Sequence, residues 1–212
     1  IRKAAKKWDV NLIAYEGRIL FNTDNIGVEH NIVYKLAYAK ILDGLIIATG
    51  TLINKVSRDC FIDYIKAYEG IPMVSIYENI PSIPSILVDN KKGMKSLVNH
   101  LVNHHGYRKI GFLKGPLSND ESNERFSAYL DVLTQNGIEI DEKIIFNGNF
   151  QSETGWETAE YIIKNNIKID ALVCANDEMA VGAIKYFKSM NLDYKENFVV
   201  CGFDNAHNSA II

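Results

Sequence analysis

Cysteine is scarce in this chain of 212 residues. There are three, Cys60, Cys174 and Cys201, an odd number, with no CxxC pair and no His/Cys spacing of the kind that holds zinc. Cys174 and Cys201 fall in apolar strand patterns, where a buried free thiol is expected. The reading is of a protein from a reducing, cytoplasmic compartment. Positive charge is not in excess either. Lys and Arg number 23 against 26 Asp and Glu, a net charge of −3, so no basic face is offered to nucleic acid. No stretch of about 18 apolar residues occurs, so no membrane span is expected. No signal peptide is visible, although the chain opens on Ile1 and not on Met.

Catalytic signatures are missing as well. There is no G-x-x-x-x-G-K-[ST] phosphate cradle, no G-x-G-x-x-G after the early strands, no G-x-S-x-G nucleophile elbow and no HExxH. Asp177 or Asp204 could serve as a base, but a general base needs a reacting partner within hydrogen-bond reach, and none is named by the sequence. An enzyme is not expected, and no cofactor. His30, His100, His104, His105 and His207 are the five histidines. His100 and His104 have the i, i+4 spacing of a metal pair. With no third ligand placed nearby, the preferred reading is imidazole at a helix C-terminus, where positive charge is favoured.

What the sequence does have is a regular alternation. Hydrophobic residues make up 47% of the chain, enough for a sizeable core. The organising stretch is 171–190, ALVCANDEMAVGAIKYFKSM. It reads as a buried strand, a polar turn Asn176-Asp177-Glu178, and a helix with Ala180, Ala183, Ile184 and Phe187 on one face. Ligands of α/β sheets bind at such strand-to-helix turns, because backbone N–H groups and polar side chains converge there. Asn176 and Asp177 are equally good helix caps. Strands are predicted at 10–15, 45–48, 73–77 and 85–88, then at 110–113, 144–146, 171–175 and 198–203.

Helices are predicted between most of these strands. A first one is already in progress over 1–9. A second is capped by Asp24 or Asn25, with Val28, Ile32, Leu36 and Ala39 on one face. A third runs through Phe61, Ile62 and Ile65 to Gly70. Asp89-Asn90 start a fourth, with Met94, Leu97, Val98 and Leu101 inward. Later ones carry Phe126, Tyr129, Leu130 and Leu133, and Trp156, Ala159 and Ile163. Thr49-Gly50-Thr51 reads as a strand-end loop. Alternating β and α elements with wholly apolar strands predict parallel sheets covered on both faces, as one long sheet or as two lobes.

Four stretches carry a resemblance: VDNKKGMKSLVNHLVNHHGYRKIGFLKGP (88–116), ERFSAYLDVLTQNGI (124–138), CANDEMAVGAIKYFKSMNL (174–192) and VVCGFDN (199–205). In order and spacing they are similar to the effector-binding domain of LacI/GalR-type transcriptional regulators. The resemblance implies an α/β fold like that of periplasmic sugar-binding proteins, two lobes with the ligand in the cleft. Residues 1–106 would form an N-terminal lobe and 107–212 a C-terminal lobe. It also implies that a helix-turn-helix headpiece, a hinge helix and an opening strand precede this sequence, and that a return to the first lobe follows it.

By position, the resemblance implies ligand-binding roles for Arg125, Asp204, Asn176 and Phe150, with Ser122 and Asn123 in the lining loop. Phe21, Thr49 and Tyr77 lie at strand ends of the first lobe. Arginine supplies a fork of donors, aspartate accepts from hydroxyls or amines, and an aromatic packs on a sugar or base face. Asp177 is then the better candidate for a purely structural role. The expected ligand is a small polar effector, sugar-like or nucleobase-like. The expected assembly is a homodimer, meeting operator DNA only through a headpiece absent from this sequence. Stretches 41–52 and 70–90 also resemble LacI-type sensors fused to diguanylate cyclases or histidine kinases. A transport sugar-binding protein is the remaining alternative. Alanine at Arg125 or Asp204 is expected to remove ligand-induced stabilisation with little effect on the unliganded protein.

Overall fold

The computed structural model describes residues 1–17, 20, 29–37, 41–52, 57–192 and 198–206. Phe21, the helix caps Asp24 and Asn25, Val28, Ala39 and His207 lie outside them. The chain divides into two compact units, Ile1–Val88 and Asp89–Ile212. The lobe boundary expected after Gly106 differs from this division, because the helix opening at Asn90 packs on the helix Asp120–Gln135.

In the first unit, the elements are α1 (Arg2–Lys7), β1 (Leu45–Ile47), a single turn α2 (Thr49–Leu52), α3 (Arg58–Ile65), β2 (Met73–Ile76) and β3 (Ser85–Ile86). The three strands pair in parallel in the order β1-β2-β3. Ser57 caps α3, its side chain accepting from the Cys60 N–H, and the helix buries Phe61 and Ile65 with Leu20 and Ile80.

Three expectations are corrected here. Residues 10–15 form no strand. Val10, Leu12 and Ile13 are exposed there, and among the described residues β1 is paired only with β2. Apolar alternation names the face a strand would bury, but a strand also needs a neighbour to take its N–H and C=O groups. Ile32 and Leu36 are exposed because Ile32–Leu36 is a 3-10 helix. At three residues per turn, i and i+4 no longer share a face. The loop Thr49-Gly50-Thr51 is instead the helical turn α2.

The second unit holds α4 (Asn90–Asn99), β4 (Ile110–Lys114), α5 (Asp120–Gln135), β5 (Ile145–Asn147), α6 (Ser152–Lys164), β6 (Ala171–Cys174), α7 (Asp177–Ser189) and β7 (Val199–Cys201). All four strands are parallel, in the order β5-β4-β6-β7. Every residue of β6 is buried, as expected of a strand covered on both faces. Helices pack in pairs, α4 on α5 and α6 on α7. The predicted inward residues Met94, Val98, Tyr129, Leu133, Ala159, Ala183 and Phe187 all lie in one core with Phe112 and Leu172. Trp156, expected inward, is 36% exposed and meets Tyr186 edge-on at 5.4 Å.

The α6–α7 crossing is set by two glycines. A Cβ on Gly155 would lie 1.8 Å from the Met179 carbonyl oxygen, and one on Gly182 would lie 1.8 Å from that of Ser152. The helices meet backbone to backbone, which no other residue permits. Asp89, Asn119 and Asn176 cap α4, α5 and α7. The parallel sheet therefore sends all its strand ends to one edge, where capped helices begin.

Candidate functional site

That edge of the second unit gathers most of the residues singled out from the sequence. Arg125 is the centre. It lies on α5, is 4% exposed, and its guanidinium is held on several sides. Nε donates to Asn90 Oδ1 at 2.8 Å and Nη1 to the Ala175 carbonyl at 2.7 Å. Nη1 also stands 3.4 Å from Asp204 Oδ1, and Nη2 stands 3.5 Å from Glu121 Oε2. The guanidinium stacks over the Phe203 ring at 4.2 Å. Asn90 is itself oriented, its Nδ2 donating to Glu124 Oε2 at 3.1 Å. One arginine thus ties the start of α4, the first turns of α5, the end of β6 and the loop after β7.

This corrects the expectation that Arg125 could be removed from the unliganded protein at little cost. Its loss leaves the Ala175 carbonyl and Asn90 Oδ1 without donors in a buried place.

Asp204 occupies the loop after β7 with a backbone φ of 120°, a region that side-chain-bearing residues rarely enter. Burial pushes its carboxyl above the ordinary aspartate value; Arg125 opposes this, and Asp177 and Glu121 reinforce it. Phe150, after β5, is also left-handed, with φ 71°. Its ring lies so close to Gly115 that a Cβ there would meet Phe150 Cε1 at 2.3 Å. Backbone strain at two strand ends of one sheet edge is the kind that functional sites hold.

Asn176 is used at both ends. Oδ1 caps α7 by accepting from the Met179 N–H at 3.0 Å, and Nδ2 donates to the Phe150 carbonyl at 3.1 Å. Ser122 is buried and accepts from the Gly115 N–H at 2.8 Å. Asn123 is exposed, and its Nδ2 donates to the Leu117 carbonyl. Asp177 is buried and accepts from the Ala206 N–H at 2.7 Å, fastening the loop after β7 to the start of α7.

Thr49 and Tyr77 belong to the first unit. Thr49 is buried with Oγ1 2.9 Å from the Ser75 hydroxyl, and Tyr77 is 46% exposed after β2 with φ 72°. Phe21 falls outside the described residues. Sequence reasoning missed Asn90, Glu121 and Phe203. Glu121 stands four residues before Arg125 on one helix, a spacing that places the two side chains together. Asn90 and Phe203 carried no such signal.

Chemically, the cluster sets Arg125, among the described residues, beside Glu121, Asp204 and, through Asn90, Glu124, with Asp177 next to the same loop. That balance suits hydroxyls or amines rather than an anion. It is poor in nucleophiles. Burial pushes the Cys201 thiol up to about 11, and the fully buried Cys174 is pushed higher still. Among the described residues no group of three His, Cys, Asp or Glu is arranged to hold a metal. No helix among them is long and apolar enough to cross a membrane.

The polar cluster lies at the C-terminal edge of a parallel α/β sheet, the place where ligand-binding domains of this architecture hold their ligands. Residues 1–207 match the family model of periplasmic binding proteins and sugar-binding domains of the LacI family, and the chain belongs to that family. It is 36% identical over 121 residues to the HTH-type transcriptional regulator AscG of Escherichia coli, covering 57% of this chain and 36% of AscG. It is 29% identical over 155 residues to the transcriptional repressor PurR of Mannheimia succiniciproducens, covering 72% of this chain and 46% of PurR. Among solved structures, a sugar-binding LacI-family regulator from Escherichia coli, crystallised with phosphate, superposes with a TM-score of 0.66 at 28% identity. That match covers 88% of this chain and 63% of the other. The chain spans less than half the length of the two curated relatives. The diguanylate cyclase and histidine kinase outputs gain no support from these relatives.

Proposed function

We propose that this chain is the effector-sensing part of a LacI-type transcriptional regulator, binding a small polar molecule, neutral or cationic, at the C-terminal edge of the second unit's sheet. The observation that supports this most is the Arg125–Asp204 pair beside two strained strand ends, in a chain of this family. Asp204, 43% exposed at its side chain, is the acceptor for a ligand hydroxyl or amine. Phe150 supplies a ring for a sugar or base face. Arg125, Asn176 and Ser122 hold those groups in place, and Arg125 keeps donor capacity on Nη2. Asn123 lines the entrance.

Ligand binding shifts a conformational equilibrium only by its difference in affinity between states. A DNA-binding module on the same polypeptide would read that shift, in a cytoplasmic homodimer on operator DNA. The test is calorimetry and thermal unfolding with a panel of neutral sugars, amines and purine bases. A ligand that stabilises the chain should bind Asp204→Ala and Phe150→Ala at least tenfold more weakly. Unchanged affinity in both variants refutes the site, and chemical turnover of the ligand refutes the binding-module reading.

A further inference from the structure

The sequence pairs His100 with His104 by helical spacing, but the fold pairs His100 with His105. After Asn99 the helix α4 widens into a π turn, His100–His104, closed by the His105 N–H bonding the His100 carbonyl at 3.4 Å. An i→i+5 bond sets residues 100 and 105 above one another. Their Nε2 atoms converge to 3.1 Å. Both rings are exposed, so burial does not force this meeting. Each ring is instead held by a stack. His104 lies on His100 at 4.9 Å with 19° between planes, and Tyr107 lies on His105 at 5.3 Å with 26°. Arg108 Nη1 secures the end of the turn by donating to the Val102 and Tyr107 carbonyls.

We propose that His100 and His105 form a two-nitrogen chelate for a borderline transition-metal ion, Cu²⁺, Ni²⁺ or Zn²⁺. Metal–imidazole bonds are about 2.0–2.1 Å, so nitrogens 3.1 Å apart subtend roughly 98° at a shared ion. That angle lies between square and tetrahedral geometry, and rings already stacked lose little freedom on binding. Among the described residues no third His, Cys, Asp or Glu completes a group. Water therefore fills the remaining positions, and the ion exchanges readily. Affinity follows the ordinary order for nitrogen ligands, with Cu²⁺ ahead of Ni²⁺ and Zn²⁺. His104 is a stacking residue here and not a ligand. The bound ion bridges the π turn and stiffens the exit of α4 toward β4.

The experiment uses the chain free of any purification tag and stripped with a chelator. Titration with Cu²⁺, Ni²⁺ and Zn²⁺ is read by calorimetry and by thermal unfolding. One ion should bind per chain and raise the melting temperature, reversibly with chelator. His100→Asn and His105→Asn should each weaken binding at least tenfold, while His104→Asn should stay within about threefold of the parent. Imidazole resonances in the parent with Zn²⁺ provide a readout independent of the variants; those of His100 and His105 should shift together. The proposal is overturned if the parent binds no better than the His100→Asn/His105→Asn double variant. It is also overturned if His104→Asn loses as much as His105→Asn, which would restore the i, i+4 pair.

Discussion

Alanine at Gly182 tests the packing of the second unit by the sign of its effect. In a helix considered alone, Gly→Ala stabilises by about 1 kcal/mol, because alanine gives up less backbone freedom. Here the new Cβ would lie 1.8 Å from the Ser152 carbonyl oxygen. An ordinary contact is about 3.5 Å, so α6 and α7 must part by roughly 1.7 Å. The obstacle is backbone, so no rotamer change relieves it. Overpacking of this kind costs about 3 kcal/mol or more, at the upper end of its usual range. Set against the propensity gain, the net loss is about 2 kcal/mol.

Urea unfolding followed by far-ultraviolet circular dichroism should show a lower midpoint with an unchanged slope. Gly155→Ala, whose Cβ would meet the Met179 carbonyl at 1.8 Å, should cost a similar amount. The double variant should lose less than the two losses added, because one separation of the helices accommodates both methyl groups. If either single variant is as stable as the parent, or more stable, the close crossing is refuted.

Two further predictions concern the strand-end cluster. Arg125→Ala should destabilise the unliganded chain by about 2–4 kcal/mol in the same assay, since buried acceptors lose their donor. Arg125→Lys should recover only part, because one ammonium cannot reach the Ala175 carbonyl, Asn90 and the flanking carboxylates together. Asp204 carries a raised carboxyl pKa, so the folded state holds its proton where the unfolded chain has released it. The contribution is present below the ordinary aspartate value of about 4 and is lost as pH rises through the folded value. Relative to Asp204→Asn, the parent should therefore lose stability on going from about pH 4 to pH 7. An opposite slope in paired melting curves would contradict the partial desolvation of this carboxyl, whose side chain is 43% exposed.

Much of the second unit was legible because its local signals agree. Apolar strands, caps at Asp89 and Asn176, and helical stripes all point one way, and tertiary packing confirms them. The first unit was less legible. Residues 10–15 have a strand's apolar residues but no pairing strand among the described residues, and the 3-10 geometry of Ile32–Leu36 undoes a stripe that α-helical spacing predicts.

By itself the sequence determined the parallel α/β class, the family and the helix starts at Asp89 and Asn176, because each depends on residue type at short spacing. Only the tertiary structure decided how the buried donors are shared. It placed Arg125 between Asn90, Ala175, Asp204 and Phe203, residues 35 to 79 positions away along the chain. It fixed Asp177 as the fastener of the loop after β7. It also moved the partner of His100 from His104 to His105, since a helix that widens by one residue per turn changes which side chains meet. Spacing along a chain predicts neighbours only while the local helix keeps its period; where the period changes, or contacts cross between strands, three dimensions decide.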